Sequence, residues 1–253
     1  MKSETSKNFW VELKQHTQAR VGLKRSGHAI GTEDNLKFQW AHAQARDAIH
    51  SPWNIKKLEQ ELKKLESVNP VILETQVKSR VEYLARPDLG RLLKDGEAEK
   101  LERNNLKSKD ILLIVSNGLS SNALEEHALR FLNLLISYLK NKKFSFNIVL
   151  VENARVGLSD VLGDLLKPKL SLILIGERPG LSSPDSMGIY LTYNPSQGKT
   201  DADRNCISNI RAPYGLSYEL ALNKTSYLIE QSLHKKLSGV ALKDESERFL
   251  LSP

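Results

Sequence analysis

Cysteine is nearly absent from this 253-residue chain: Cys206 is the only one. A lone cysteine excludes an internal disulfide framework and any cysteine-rich metal centre. Long apolar runs are missing too, and no stretch approaches the roughly 20 apolar residues that a membrane-spanning helix needs. The start, Met1-Lys2-Ser3-Glu4-Thr5-Ser6-Lys7, has no apolar core of the signal-peptide kind, so an intracellular protein is expected. Neither GxGxxG nor GxxxxGK[ST] occurs, which removes the two common glycine signatures of nucleotide phosphate binding. A Ser-His-Asp triad finds no support, because His127 falls in an early helix, His234 in a late one, and no serine sits in a nucleophile elbow. Internal repeats and low-complexity tracts are also absent.

Positive charge is in excess, with 37 Lys and Arg against 30 Asp and Glu. Most of that excess falls in the first 110 residues, but acids are interleaved with it at helical spacing, as in Leu58-Glu59-Gln60-Glu61-Leu62-Lys63-Lys64-Leu65-Glu66. Such mixing favours a solvated helix face over a nucleic-acid footprint, although the pI near 9.3 keeps the latter as a competing reading.

Along the chain, residues 1–18 are polar and expected to be partly ordered at best. Ala19–Gly31, with three glycines, reads as irregular. Thr32 is a good N-cap for a helix reaching about His50, where Ser51-Pro52 stops it. That helix carries His42, Arg46 and His50 on one face, which lacks the carboxylate a metal site would want and reads as a contact surface. Trp53–Val68 predicts a second helix, Val71–Ala85 fits helix or strand, Arg86–Arg91 is a break, and Glu97–Asn105 is a short charged helix. From Asp110 strand and helix alternate. Ile111–Val115, Ile148–Val151 and Ser171–Ile175 are short continuous apolar runs of the kind buried on both faces of a sheet. Helices are expected over Asn122–Leu139, from Leu158 to Leu165, and over Leu216–Leu237. The βαβαβ pattern predicts a parallel sheet with right-handed crossovers. The expected fold is therefore α/β: a Rossmann-like parallel-sheet domain over residues 106–253, preceded by a helical N-terminal region over residues 1–105.

The stretch from Ser171 to Asn209 organises the rest. Its strand ends in Gly176-Glu177-Arg178-Pro179-Gly180, where two glycines and a proline form a tight loop at the edge at which open α/β sheets bind ligands. After Gly180 come an expected strand at Ile189–Tyr193, a polar loop Asn194–Asp203 and a short extended stretch at Cys206–Ile210. The loops Asn153–Gly157, Gly176–Gly180 and Arg204–Cys206 are expected to converge on one rim. Asp185 with Glu177 would make an acid/base pair if the fold brought them close. Cys206 alone reads as a small buried hydrophobe before a reactive thiol.

Three blocks carry more. They are Ala19-Arg20-Val21-Gly22-Leu23-Lys24-Arg25-Ser26-Gly27 with Phe38 and Ala41–His50; Ser116–Ser120; and Ile175–Ser186 (IGERPGLSSPDS) with Arg204–Ile210 (RNCISNI). Together they resemble the small (light) subunit of ethanolamine ammonia-lyase, from about Ala19 to the C-terminus. The resemblance implies an adenosylcobalamin-dependent lyase that converts ethanolamine to acetaldehyde and ammonia by radical chemistry. It implies a large-subunit partner that holds the substrate, a heterododecameric assembly, and a cofactor lying between the subunits. By the same resemblance Val156, Glu177 and Cys206 contact the cofactor: Val156 through apolar contact, Glu177 as a hydrogen-bond acceptor, and Cys206 as a soft neighbour that does not ligate cobalt. The Asp-x-His-x-x-Gly motif that supplies a protein histidine to cobalt is absent, so the cofactor is expected to keep its own benzimidazole. Asn117 stands where the family often has Asp. No membrane or nucleic-acid partner is implied. A cytoplasmic location follows, with packaging in a bacterial microcompartment tied to N-terminal extensions longer than the one before Ala19. A stand-alone Rossmann-like nucleotide-binding or regulatory protein is the competing function.

Overall fold

The structure, a computed structural model, describes residues 2–104, 106 and 108–247, with side chains from Phe9 onward. The boundary read at Asn104–Lys109 includes two positions outside the described residues.

Six strands build one sheet. We number them β1 (Val71–Glu74), β2 (Ile111–Ser116), β3 (Phe146–Glu152), β4 (Leu170–Gly176), β5 (Met187–Tyr193) and β6 (Arg204–Ile210). Their order across the sheet is β1-β3-β2-β4-β5-β6. The pairs β3–β2 and β2–β4 are parallel, as the alternating pattern predicts, and β1 pairs with β3 in parallel as well. The two others, β4–β5 and β5–β6, are antiparallel. The result is a mixed α/β architecture on a mostly parallel sheet. The segment whose pattern fitted either helix or strand contains both: β1 forms the sheet's edge, and Arg80–Ala85 is a helix capped by the Ser79 side chain. The sheet thus recruits a strand from the region read as helical.

Alternation along the strands divides the core into two layers. Ile111, Leu113 and Val115 of β2 face the helices Ile55–Lys63, Leu129–Asn141 and Tyr218–Lys235. Leu112 and Ile114 face the other way, toward Leu101 and helix Leu158–Leu166. The helix after β2 starts at Ser121 and passes through a π-helical stretch, Leu124–Ala128, before continuing as Leu129–Asn141.

Two N-terminal expectations change. Lys2–Gln15 is helical, although its polarity suggested little order. Helix Thr32–His50 takes in Thr32, the residue expected to cap it; its cap is Gly31 and no side chain closes it. Asp34 instead accepts a hydrogen bond from the Lys24 backbone N–H at 3.1 Å, tying the preceding segment to the first turn. That segment holds a two-residue hairpin, Arg25–Ser26 with Ala29–Ile30, and is otherwise irregular. Only Ala41, Ala45 and Ala48 of the long helix are buried. None of the described helices is long and apolar enough to cross a membrane.

Helix Leu158–Leu166 lies so close to the turn after β5 that a Cβ on Gly163 would stand 2.2 Å from the Pro195 carbonyl oxygen. Alanine normally gains roughly 1 kcal/mol over glycine inside a helix. Here the clash is with main chain, which cannot swing aside, so Gly163→Ala should destabilise by about 1–3 kcal/mol instead. A denaturant titration reads this as a lower midpoint with an unchanged slope; a raised midpoint would contradict the packing.

Candidate functional site

The loops after β2 and β4 are pressed together by their glycines. Gly118 has φ +49°, and a Cβ there would stand 2.4 Å from Ile175 Cγ1 and 2.5 Å from the Gly176 carbonyl oxygen. On Gly176 a Cβ would meet the Ser120 and Asn117 carbonyl oxygens at 2.2 and 2.4 Å. The reason for Gly176 is therefore close approach of two main chains, not a special φ angle. Leu119 N–H donates to the Gly176 carbonyl at 2.9 Å and completes the junction.

Asn117 fixes the loop after β3 to the loop after β2. Its Oδ1 accepts from Asn153 N–H at 2.7 Å, and its amide nitrogen donates to Ser121 Oγ at 3.3 Å. The side chain is buried, so it braces the rim from inside. Asn153, itself left-handed at φ 57°, offers Oδ1 to Arg80 Nη1 at 2.8 Å. Arg80 also donates to the Gly118 and Ile49 carbonyls, and so joins the long N-terminal helix to both loops.

β4 turns back through 177–186 into β5, and that reversal shapes the cleft. Glu177 N–H donates to the Ser186 carbonyl at 3.0 Å, extending the β4–β5 ladder by one rung. The Glu177 carboxylate reaches across β5 to β6, accepting from the Ser208 hydroxyl through Oε1 and from Asn209 N–H at 3.1 Å through Oε2. The crossing needs Gly188 beneath it, where a Cβ would lie 2.8 Å from Oε1. Glu177 is thus neither a bare carboxylate nor a partner of Asp185. That residue is ion-paired with Arg211 at the far side of the 177–186 turn. The supposed acid/base pair consists of two separately engaged groups. Asp185 also lies 4.0 Å from the buried His127, whose Nδ1 is 2.8 Å from the Tyr218 hydroxyl. Burial holds this imidazole below its ordinary pKa, while Asp185 pulls the other way.

Cys206 lies where sequence reading did not put it. Arg204–Cys206, read as a loop, instead opens β6, which continues through the stretch read as extended, and Cys206 pairs with Tyr190 across β5–β6. It is solvent-exposed rather than buried. Crowding around the sulfur still raises the thiol's pKa, with the Glu177 charge adding to the effect, while a hydrogen bond with Tyr190 opposes it. Burial also raises the Tyr190 phenol, helped by Cys206 and Glu177. At neutral pH both groups are protonated.

Residues far apart in sequence meet here. Val156, Glu177, Tyr190 and Ser208 line a cleft of about 450 Å³, with Tyr83 and Arg155 at its side. Val156, Arg155 and Tyr190 continue into a neighbouring cleft of about 600 Å³. Cys206 joins the group through Tyr190. Leu101 of helix Glu97–Arg103 and helix Leu158–Leu166 pack on β1–β4 on this face, while the half-buried Tyr190 and the exposed Cys206 and Ser208 form an open platform on β5 and β6. Its outer strand is anchored by Arg204, buried and paired to Asp160 of that helix through two hydrogen bonds of 2.9 and 2.6 Å.

Sequence reading missed Tyr83, Arg80, Arg155 and Tyr190. Arg155 had a signal, standing beside Val156 in a loop already singled out. Tyr190 had none, since its role depends on antiparallel register. The face of His42, Arg46 and His50 is exposed as expected. Arg46 lies 3.7 Å from its neighbour Asp47, and the Phe38 ring stacks on His42. Among the described residues no group of three His, Cys, Asp or Glu is placed to hold a metal ion.

Comparison with known proteins agrees along nearly the whole chain. Residues 7–243 match the family model "Ethanolamine ammonia-lyase light chain (EutC)". The chain is 44% identical over 250 residues to the ethanolamine ammonia-lyase small subunit of Azotobacter vinelandii, covering 97% of this chain and 92% of that one. It is 45% identical over 244 residues to the small subunit of Pseudomonas fluorescens (95% and 87% covered) and 43% over 247 residues to that of Pseudomonas aeruginosa (96% and 90%). By both measures the chain belongs to the ethanolamine ammonia-lyase light-chain family.

Proposed function

We propose that this chain is the small subunit of an adenosylcobalamin-dependent ethanolamine ammonia-lyase, and that its open platform forms one wall of the cofactor site against a large subunit. One observation carries the reading: Val156, Glu177 and Cys206, three positions set by family resemblance, gather around Tyr190 on an open part of the sheet. The βαβ arrangement of β2, β3 and β4 supports a Rossmann-like description, with β5 and β6 as an antiparallel addition that widens the platform. Residues 106–253 supply most of that platform, and the N-terminal region supplies subunit contacts. A heterododecamer is the assembly the family resemblance suggests.

The residues present fit a large, flat, amide-rich ligand. The platform is broad and not self-covered. Its phenol and hydroxyl can donate or accept, and Arg155 Nε is buried without a partner among the described residues. Glu177 keeps acceptor capacity, since each carboxylate oxygen accepts more than the one bond the protein supplies. Val156 would give apolar contact, Glu177 would accept from amide or hydroxyl donors, and the protonated Cys206 would pack as a soft neutral group. Radical chemistry by homolysis of the cobalt–carbon bond is what adenosylcobalamin supplies when bound; this chain binds, orients and shields.

Three outcomes are expected. The chain purified alone, given adenosylcobalamin and ethanolamine, should release no ammonia, because no substrate constellation is found among the described residues; turnover would refute the division of labour. In the assembled enzyme Glu177→Ala should raise the cofactor dissociation constant about ten- to a hundredfold, the equivalent of roughly 1.5–3 kcal/mol for a hydrogen bond to a charged group. Glu177→Gln should cost less, since its carbonyl can serve Asn209 N–H while the Ser208 hydroxyl turns to accept. Turnover at saturating cofactor should change much less than affinity. Wild-type affinity in Glu177→Ala would reduce GERPG to a structural turn. Arg46→Glu, on the exposed face of helix Thr32–His50, should weaken assembly with the large subunit in sedimentation while leaving the chain's circular dichroism unchanged. Unaltered sedimentation would place the interface elsewhere.

A further inference from the structure

The cleft continues beyond Val156 into a basic arm that family resemblance did not mark. Four cations line it: Arg91, Arg155, Lys199 and Arg204. Two are already balanced. Arg204 is neutralised by Asp160, and Asp201, the remaining carboxylate of the arm, is fully exposed and 3.8 Å from the same guanidinium. Lys199 lies 3.7 Å from Asp203. Arg91 and Arg155 remain. Arg91 has no side-chain hydrogen bond or ion pair to another described residue. Arg155 has no carboxylate either: its guanidinium lies 4.2 Å above the Tyr83 ring, Nη2 donates to the Tyr83 carbonyl at 3.3 Å, and Nε is buried without a partner. Arg80 approaches the same ring at 4.9 Å and adds a second positive charge.

Main-chain packing carries both guanidinium groups to this place. Arg155 N–H donates to the Gly90 carbonyl at 2.7 Å. A Cβ on Gly90 would lie 2.9 Å from the Asn153 carbonyl oxygen and 3.0 Å from Arg155 Cγ. The break at Arg86–Arg91 is thus clamped onto the β3 loop, which sets the Arg91 side chain against Gly157 at 3.4 Å from the position of a Cβ there. A partly desolvated guanidinium without a carboxylate is costly unless an anion completes it, and the planar fork suits a phosphate oxygen pair.

We propose that Arg91 and Arg155 form a subsite for a phosphodiester, the phosphate of the cofactor's nucleotide tail, at the Val156 end of the cleft. The proposal rests on the corrinoid reading of the site. The test uses the assembled two-subunit enzyme and two probes followed by their visible absorbance: hydroxocobalamin, which carries the phosphodiester, and aquacobinamide, which lacks it. Arg91→Ala and Arg155→Met should each weaken hydroxocobalamin about tenfold or more and leave aquacobinamide binding unchanged. Arg91 is exposed, so Arg91→Ala keeps the test sound if Arg155→Met fails to fold. Wild-type affinity for hydroxocobalamin in Arg91→Ala overturns the proposal, as does an equal loss for both probes. Inorganic phosphate at constant ionic strength should compete with hydroxocobalamin in the wild-type complex; phosphate binding that hydroxocobalamin leaves untouched would mean a free-phosphate site and also overturn it. If the wild-type complex binds neither corrinoid, the reading of the cleft itself fails, an outcome distinct from failure of the subsite alone.

Discussion

Where the loops after β2 and β4 cross, there is no room for a side chain on either. Gly118 meets Ile175 and Gly176, and Gly176 meets Asn117 and Ser120, all at distances that a single Cβ would abolish. Every other feature of the rim hangs from that junction. Asn117 reaches Asn153 only because its own loop is held down, and Asn153 in turn receives Arg80. A spacer of one methyl group there would lift the Glu177 turn off its neighbours and move the carboxylate relative to β6. Interiors packed to crystal density transmit such shifts rather than absorb them.

The second organising feature is the reversal of direction after β4. A fully parallel sheet would require a crossover helix for each added strand, and those helices would cover both faces. By turning back through the ten-residue loop 177–186, the chain adds β5 and β6 without adding a helix on the Tyr190 side. Ile207 and Ile210 still fill the core on the opposite side, which keeps the outer strand attached. One face is therefore paid for by burial while the other stays free. The buried Arg204–Asp160 pair pins the edge where covering side chains run out.

Charge follows the same geography. Burial removes water from Arg80 and Arg155 around Tyr83, and the phenol ring with its hydroxyl bonded to the Ala154 carbonyl is a weak substitute for a carboxylate. The excess of basic residues in the whole chain is mostly solvated and says little. What matters is the small number of guanidinium groups that main-chain contacts hold next to the cleft.

Much of this was written in local pattern. The continuous apolar runs Ile111–Val115, Ile148–Val151 and Ser171–Ile175 could only be strands buried on both faces, and they became the centre of the sheet. The stop at Ser51-Pro52 and the position of the GERPG turn followed from proline and glycine geometry alone. The family, too, was legible, because IGERPGLSSPDS and RNCISNI are specific blocks. Other features needed the folded chain. Val71–Glu74 is too short for its period to separate strand from helix, and pairing with β3 decided it. RNCISNI read as loop and extended chain because its alternating small and polar residues resemble both; antiparallel pairing with β5 made it a strand and put Cys206 opposite Tyr190. Sequence fixes which residues a strand can bury, since that depends on neighbours one and two positions away. It does not fix which strand lies beside which, because that register is settled by contacts between residues tens of positions apart.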